Sequence, residues 1–321
     1  MPKYSFIVPV YNRPQEVDEL LDSMLCQTDR DFEVVVVEDG SAIDCQHIVE
    51  AKKEHLDIAY HKIENSGPGP ARNYGAANSS GEWLIFLDSD TLLPKNYLDE
   101  VARHLSENTL DAFGGADKDR EDFLPIQRAI SYSMTSFLTT GGIRGSEKSL
   151  EKFKPRSFNM GIRKEVFEGL DGFRSIRYGE DIDFSLRIEK ANYKTGFIPK
   201  AFVYHKRRTS YKAFFDQIRH SGEARILLSK LHKGSFKLVH LFPSLFIVGL
   251  FASVFLTLAF PKFGLPLFAL YVIYIFTIAI DASFKSRSLI VGILAISTSF
   301  IQLVAYGVGF VKAGTIFLIK G

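Results

Sequence analysis

Residues 83–90 read Trp-Leu-Ile-Phe-Leu-Asp-Ser-Asp, an apolar run that ends in two carboxylates one residue apart. Five consecutive apolar residues without polar alternation predict a strand that is buried on both faces of a sheet. Carboxylate oxygens are preferred ligands of Mg²⁺ and Mn²⁺, so Asp88 and Asp90 are candidate metal ligands. A D-x-D triplet alone is weak evidence, and its position at a strand end is what gives it weight.

The same type of pattern continues on the N-terminal side of this stretch. Strand-like runs alternate with segments of helical spacing, the strands at 4–10, 32–37 and 58–62 and the helices at 13–27, 43–55 and 71–77. This alternation predicts the α/β class, with a doubly wound, mostly parallel, Rossmann-like sheet and a site at the carboxyl ends of its strands. The pattern loosens at 113–156, where we expect an irregular loop on the acceptor side.

A second acidic cluster, Tyr-Gly-Glu-Asp-Ile-Asp at 178–183, precedes a predicted helix at 184–191. Carboxylates at that position also complement the helix dipole, which is the purely structural explanation. A base that deprotonates a hydroxyl group must be a carboxylate or a histidine. We therefore take Asp181 as the candidate base and Glu180 as a residue that helps to hold the acceptor.

Two further residues are candidates for a donor pocket, although each also fits an ordinary surface loop. Asp39 follows the second strand, where acidic residues of doubly wound sheets accept hydrogen bonds from a nucleoside. Arg72 opens a predicted helix, where its charge and the backbone N–H groups would face an anion. His205 precedes Lys-Arg-Arg at 206–208 and is either structural or part of a phosphate clamp.

Charge is distributed unevenly along the 321 residues. Residues 1–199 carry 24 basic and 34 acidic side chains, residues 200–237 carry 10 and 2, and the remainder carries 5 and 1. A basic segment between an acidic body and an apolar tail indicates an anionic membrane surface rather than a nucleic acid. Cys26 and Cys45 form no metal or disulfide motif, and no signal peptide is recognisable at the N-terminus, so we expect a cytoplasmic catalytic body.

The apolar tail contains three candidate membrane spans, 238–260, 263–284 and 288–311, each long enough for a bilayer. Basic residues in the second loop predict that this loop is cytoplasmic, and an odd number of spans would place the end of the third on the far side. Before them, 211–231 has the spacing of an amphipathic helix, which suits the headgroup region or packing on the protein. The predicted domains are therefore 1–208 (catalytic), 209–235 (juxtamembrane helix) and 236–321 (membrane).

Five motifs in this order resemble the family 2 glycosyltransferases with a GT-A fold, over Ser5 to about Arg208. They are Phe-Ile-Val-Pro-Val-Tyr-Asn-Arg at 6–13, Val-Val-Glu-Asp-Gly-Ser at 36–41, Gly-Pro-Ala-Arg-Asn-Tyr-Gly at 69–75, Leu-Asp-Ser-Asp at 87–90, and the stretches 159–165 and 170–173 that lead to Glu180 and Asp181.

The resemblance implies an inverting, single-displacement transfer of a sugar from a nucleotide-sugar donor, with a UDP-sugar favoured over a GDP-sugar. Asp181 would be the base, and Mg²⁺ or Mn²⁺ would be held by Asp90, Asp88 and His205, with Asp88 as a ribose ligand in the alternative. The residues implied for the donor pocket are Pro9, Tyr11, Asn12, Arg13, Glu38, Asp39, Arg72, Asn73 and Asp88.

One departure from the family concerns the Q-x-x-R-W motif of processive members. Residues 217–220 read Gln-Ile-Arg-His, and Trp83 is the only tryptophan. We therefore expect transfer of one sugar to a hydroxyl of a lipid-linked or membrane-proximal glycan, in the inner membrane and in cell-envelope polysaccharide or glycolipid synthesis. The alternatives are a polyprenyl-phosphate glycosyltransferase, a nucleotidyltransferase, and a membrane binding protein with a degenerate transferase fold.

Overall fold

The computed structural model describes residues 3–141 and 153–320, with side chains up to Phe317. These residues form two compact units, the first containing 3–118 and 153–206 and the second containing 119–141 and 207–320. The strands are β1 Tyr4–Val10, β2 Phe32–Asp39, β3 Ile58–Ile63, β4 Trp83–Leu87, β5 Thr91–Leu92, β6 Ala112–Lys118, β7 Asn159–Arg163 and β8 Thr195–His205.

The helices follow in chain order. They are α1 Pro14–Leu25, α2 Gln46–Lys52, α3 Pro68–Ala77, α4 Tyr97–Glu107, α5 Pro125–Thr135, α6 Phe137–Thr140, α7 Lys164–Gly169, α8 Glu180–Lys190, α9 Tyr211–Leu231, α10 Phe242–Ala259, α11 Pro261–Ser286 and α12 Leu289–Lys320.

The first unit is built on one sheet, whose strand order among the described residues is β3-β2-β1-β4-β7-β6-β8-β5. Strands β3, β2, β1 and β4 are parallel, whereas β7 runs antiparallel to both β4 and β6. The chain winds outward from β1 to β3 and then crosses back to β4 on the other side of β1. This reversal opens a crevice at the carboxyl ends of β1 and β4, which is where doubly wound sheets bind ligands.

Both faces of the sheet are covered, as the continuous apolar runs predict. Along β1, Phe6 and Val8 belong to one fully buried core, and Ile7 belongs to the core on the opposite face. Helix α3 packs against the second face at Gly75, where an added Cβ would lie 2.6 Å from Ile7 Cγ2. These cores fix the strand ends, and the loops that follow them are thereby held in place.

The segment predicted as an irregular loop, 113–156, contributes residues to both units. That prediction is wrong for β6, α5 and α6, which occupy 112–118, 125–135 and 137–140, whereas 153–155 have no regular structure. Ile130 and Met134, one turn apart on α5, pack against Phe214 and Ile218 of α9. Apolar residues spaced for a helix therefore find their partners far along the chain, while residues 142–152 of the same predicted loop lie outside the described residues.

Three helices of the second unit, spanning 238–259, 261–286 and 289–317, are long and apolar enough to cross a membrane by length and composition. Phe260 alone separates α10 from α11, and these two helices form a tight hairpin. An added Cβ at Gly264 would lie 2.0 Å from the backbone nitrogen of Thr257, so a side chain there would prevent this approach. The three predicted apolar segments are therefore helical, with the last one extending to Lys320.

Candidate active site

Asp88 and Asp90 follow β4 at the crevice, and the sheet itself brings His205 to them. The short strand β5 pairs with the end of β8, with Thr91 opposite His205. The N–H of Lys206 donates a hydrogen bond of 2.8 Å to the carbonyl oxygen of Asp90. Residues more than a hundred positions apart in the sequence are therefore neighbours because two strand ends are paired.

Asp88, Asp90 and His205 each offer one ligand atom, and these atoms all lie within 4.8 Å of one another. Two carboxylates and one imidazole form a donor set that suits Mn²⁺ well and Mg²⁺ less well. His205 Nε2 lies 3.2 Å from Asp90 Oδ1, and its Nδ1 lies 3.6 Å from Asp117 Oδ2. A carboxylate beside the second nitrogen of a metal-ligating histidine orients the ring, so the residues present fit a divalent cation.

Arg13, at the end of the loop between β1 and α1, contacts Oδ2 of Asp90. Burial raises the pKa of Asp90, but His205 and Arg13 lower it by more, so the pKa lies well below its usual range. Asp90 is therefore an anion at neutral pH, which is the form that binds a cation.

Arg72, from the first turns of α3, connects this cluster to the second acidic pair. Its Nη2 lies 2.7 Å from Asp88 Oδ1, and its Nη1 lies 2.9 Å from Glu180 Oε1. The side chain is almost fully buried, and the guanidinium also lies 5.5 Å from the ring centre of Phe173. Despite burial, which lowers its pKa, Asp88 and Glu180 raise the pKa of Arg72, so it remains a cation.

Glu180 and Asp181 begin α8, whose helix starts four residues earlier than predicted. Gly179 adopts φ 83°, a left-handed conformation that suits glycine and turns the chain into the helix. Asp181 Oδ2 accepts a hydrogen bond of 2.6 Å from Arg156 Nε. Burial and the charge of Asp181 raise the pKa of Glu180, and Arg72 only partly offsets this.

Several residues predicted for the donor pocket hold loops in place. The Asp39 carboxylate accepts hydrogen bonds from the backbone N–H groups of Ser66 and Gly67, at 2.7 and 3.0 Å. Glu38 is fully buried and accepts from the N–H of Cys45 at 2.9 Å. Asn12 Oδ1 accepts from the N–H of Ala42 at 2.8 Å.

The remaining predicted donor residues lie nearby in the same unit. Asn73 makes two hydrogen bonds with the backbone of Phe173, and so it ties α3 to the loop before α8. Pro9 lies in β1 opposite Val37, and Tyr11, in the loop after β1, is 54% exposed. Tyr11 is therefore the aromatic ring in this loop that is available to stack on a ligand.

The sequence-based prediction did not include Arg156 or Asp117. Arg156 comes from the stretch that the pattern could not place, and no local motif marks it. Asp117 lies near the end of β6, and an acidic residue near a strand end was the signal that could have found it. Asp183 of the same acidic cluster is fully buried and paired with Arg174 at 2.9 Å and Arg187 at 3.0 Å, so its role is to hold α8.

Comparison with known proteins identifies the family of the chain. Residues 5–170, just over half of the chain, match the model of glycosyl transferase family 2, and the chain belongs to that family. An uncharacterised glycosyltransferase of Rickettsia felis is 38% identical over 106 residues, which is 33% of this chain and 18% of that protein. The poly(ribitol-phosphate) beta-N-acetylglucosaminyltransferase TarS of Staphylococcus aureus is 36% identical over 115 residues, 35% of this chain and 20% of that protein. The chain thus matches about a fifth of the length of these relatives.

A solved structure supports the fold over nearly the whole chain. The mannosyltransferase PcManGT from Pyrobaculum calidifontis, in complex with GDP-Man and Mn²⁺, has a TM-score of 0.60 and 20% identity. The match covers 97% of this chain and 87% of that one. The predicted GT-A fold with apolar C-terminal helices is therefore confirmed, and the chain is a glycosyltransferase of family 2.

Proposed function

We propose that this glycosyltransferase is metal-dependent and inverting, and that it moves one sugar from a nucleotide-sugar donor to a hydroxyl group of a glycan acceptor. The observation that carries the proposal is the position of Arg72 between Asp88 and Glu180. One buried guanidinium joins the metal-type cluster, which is Asp88, Asp90 and His205, to the acidic pair at the start of α8. The two groups of carboxylates therefore belong to one site, as a transfer between a donor and an acceptor requires.

The donor side is assigned from its charges. Asp88, Asp90 and His205 would hold Mg²⁺ or Mn²⁺, which when bound neutralises the charge of a diphosphate leaving group. Arg13 and Arg72 add two permanent positive charges beside the same carboxylates. Tyr11, exposed after β1, is placed to stack on the nucleoside.

The acceptor side is assigned to Asp181. It accepts the proton of the acceptor hydroxyl while that oxygen bonds to the anomeric carbon and the bond to the diphosphate oxygen breaks. A single displacement of this kind inverts the anomeric configuration. Arg156 holds one oxygen of Asp181, and so it fixes the direction of the other.

The setting follows from the second unit and from the relatives. Three apolar helices indicate a membrane location, and we propose the inner membrane with the catalytic unit in the cytoplasm. The name of the TarS relative describes transfer of N-acetylglucosamine to poly(ribitol-phosphate), and by analogy we propose a role in cell-envelope polysaccharide or glycolipid synthesis. A UDP-sugar is the favoured donor, and the GDP-mannose bound by the Pyrobaculum enzyme keeps a GDP-sugar as the second candidate.

The test is release of nucleoside diphosphate by detergent-purified protein with UDP- and GDP-sugars, with Mn²⁺, Mg²⁺ or a chelator, and with membrane lipid extract as acceptor. We expect release from one donor that requires the metal and is lost in Asp90→Ala. Asp18→Ala, which removes a carboxylate from the exposed face of α1, is the matched control and should retain activity. Metal-independent release, or release by Asp90→Ala, would contradict the proposal.

A second candidate is transfer to a polyprenyl phosphate. Arg156 favours it, because a cation 2.6 Å from Asp181 lies where a phosphate acceptor would need one. Such an acceptor is already ionised and requires no base. The two candidates therefore differ in what the Asp181 carboxylate contributes, and one substitution separates them.

A further inference from the structure

Helices α9 and α12 lie side by side and run in the same direction. Tyr211 Oη is 2.8 Å from Ser297 Oγ at one end, and Lys312 Nζ is 3.0 Å from Glu223 Oε1 further along. The sequence separations of these pairs are 86 and 89 residues, and a nearly constant separation means a parallel arrangement. Near the end of α9, Lys230 lies 3.8 Å from the ring centre of Phe317.

Glycines allow the backbones of the two helices to come into direct contact. An added Cβ at Gly222 would lie 2.2 Å from the carbonyl oxygen of Tyr306, and one at Gly309 would lie 2.0 Å from that of Arg219. The contact therefore extends from Tyr211 to Lys230, almost the whole of the 21-residue helix α9, which is about 30 Å long at about 1.5 Å per residue. Residues 297–317 of α12 cannot be separated from α9 without breaking this interface.

Helix α9 is charged along its whole length. The charged side chains are spaced over five turns: Lys212, Asp216, Arg219, Glu223, Arg225 and Lys230. If residues 297–317 crossed a bilayer, α9 would cross beside them and bring these six charges into hydrocarbon, which is strongly unfavourable. Only 289–296 would remain free of α9, and eight residues span about 12 Å of a hydrocarbon core of about 30 Å.

The contacts of α12 with the hairpin lead to the same conclusion. The ring of Phe300 lies 5.6 Å from that of Phe246, near the start of α10. Almost three turns later, the ring of Phe310 stacks at 6.1 Å on Phe236, which precedes the hairpin. Helix α12 therefore passes the base of the hairpin and continues away from its tip. Of its most apolar window, 39% is buried inside the protein, against 6% and 11% for the other two candidate spans.

We propose that α9 and residues 297–317 of α12 form a two-helix layer in the headgroup region of an anionic bilayer, and that only the α10–α11 hairpin enters the hydrocarbon core. Since a hairpin returns to its starting side, Phe317 then stays on the side from which the chain enters α10. This differs from the three spans indicated by composition, which would place Phe317 on the far side.

The chemistry of the layer fits lipid. On α9 and residues 297–317 of α12, six aliphatic or phenylalanine side chains are 39–50% exposed, and they are Leu227, Leu231, Val308, Val311, Ile316 and Phe317. A groove of about 400 Å³ between the helices is lined by several of them and by Lys230 and Lys312. An acyl chain fits the apolar lining. Glu223 at the same edge is paired with Lys312, so Lys230 is the ammonium group that complements a lipid phosphate.

The test is sided labelling of single cysteines in sealed proteoliposomes with a membrane-impermeant maleimide. The background is Cys26→Ser, which retains the fully buried Cys45 and should itself not react. Thr315→Cys near the end of α12 is compared with Thr209→Cys before α9 and Lys285→Cys at the end of α11. Each thiol is first shown to react in detergent. We expect all three to be labelled from the same side, and labelling of Thr315→Cys from the opposite side would overturn the proposal.

A depth measurement tests the layer independently of sidedness. Spin labels at Val308, Val311 and Ile316 of α12 are compared with one at Ile273 of α11, using oxygen and a water-soluble nickel complex as relaxants. The layer predicts one shallow depth for the three α12 positions and a greater depth for Ile273. The α12 labels should also lie closer to water in vesicles of phosphatidylcholine alone than in vesicles that contain phosphatidylglycerol. The proposed layer would be contradicted if the label depth rose and fell along 308–316, or if it did not depend on the lipid charge.

Discussion

The site contains two pairs of carboxylates, Asp88 with Asp90 and Glu180 with Asp181, and their electrostatic surroundings are opposite. Asp90 contacts Arg13 and His205, which outweigh the effect of burial, and its pKa is held well below the usual range. Burial and the charge of Asp181 raise the pKa of Glu180, and Arg72, which it shares with Asp88, offsets this only in part. The comparison teaches that carboxylates in one crevice can be assigned to different tasks by the cations that surround them.

The cation that both pairs share is Arg72. It satisfies one carboxylate of each pair with hydrogen bonds of 2.7 and 2.9 Å. Because it is buried, it cannot exchange these partners for water without a large loss of free energy. Donor and acceptor halves are therefore connected through a rigid charged bridge, and substitutions in the two halves should differ in what they remove.

The largest expected effect is on the acceptor half. Asp181→Asn removes the proposed base without changing the size of the side chain, and it should lower kcat for transfer to a hydroxyl acceptor by about 10²–10⁴-fold. Binding of the donor nucleotide should change little, because Asp181 contacts Arg156 rather than the metal-type cluster. Transfer rates and nucleotide affinity, measured on the same protein, separate the two halves.

The control for this prediction is Glu189→Gln, the same loss of charge two turns further along α8, which should leave kcat unchanged. Retention of transfer by Asp181→Asn would contradict the hydroxyl acceptor. It would then favour the polyprenyl-phosphate candidate, which needs no base.

The bridge itself gives the second prediction. Arg72→Gln leaves the Glu180 carboxylate buried without its guanidinium, which should lower the free energy of unfolding by about 3–5 kcal/mol. Because the folded pKa of Glu180 is already raised and rises further in the variant, the penalty is present at neutral pH and fades as pH falls toward the ordinary value of 4.5. Thermal unfolding of wild type and variant across this pH range measures it.

A double variant checks the assignment. Arg72→Gln with Glu180→Gln should recover part of the loss, since no uncompensated charge remains. If the two substitutions are instead additive, the ion pair does not account for the stability of the bridge.

Much of the fold was predictable because apolar runs specify strands that are buried on both faces. Phe6, Ile7 and Val8 illustrate this, since neighbours in one strand fill opposite cores. The acidic clusters were predictable because strand ends in a doubly wound sheet meet at one edge. Helix α5 was not, because its apolar face packs mainly against residues of α9, α11 and α12 that lie far along the chain.

The site residues also divide into those that the sequence pattern marks and those that only the tertiary structure brings together. Asp88 and Asp90 are marked by a strand, whereas Arg156 and Asp117 gain their positions only from tertiary pairing. Whether Glu38 and Asp39 contact a nucleotide could not be read from their motif alone, because the same carboxylates serve loops through Cys45 and Ser66. The membrane layout needed contacts as well, since composition alone does not reveal that α9 lies along α12.

The third prediction concerns the donor half. Asp117 is fully buried with its carboxylate 3.6 Å from His205 Nδ1, so Asp117→Asn should weaken the orientation of the imidazole and lower metal affinity by about 10–100-fold. The Mn²⁺ dependence of nucleoside diphosphate release measures this, with saturating metal expected to restore most of the rate. Asp119→Asn, two residues away, is the matched control. An unchanged metal dependence would remove His205 from the ligand set.

The smallest effect comes from Glu33, a carboxylate outside the site. Within the described part of the chain it has hydrogen-bond donors but no cationic partner. It accepts from Ser5 Oγ at 2.6 Å and from the backbone N–H groups of Ser80 and Gly81. Burial raises its pKa, but these hydrogen bonds lower it by more, so the net shift is downward. The stabilisation is therefore present above the ordinary value of 4.5 and is lost as pH falls through the lower folded pKa.

Glu33→Gln should lower the free energy of unfolding by about 1 kcal/mol at neutral pH and should have no effect in strong acid. Thermal unfolding against pH, with exposed Glu50→Gln as control, measures this, and parallel curves for wild type and variant would show that hydrogen bonds alone do not set the charge state of a carboxylate in this sheet.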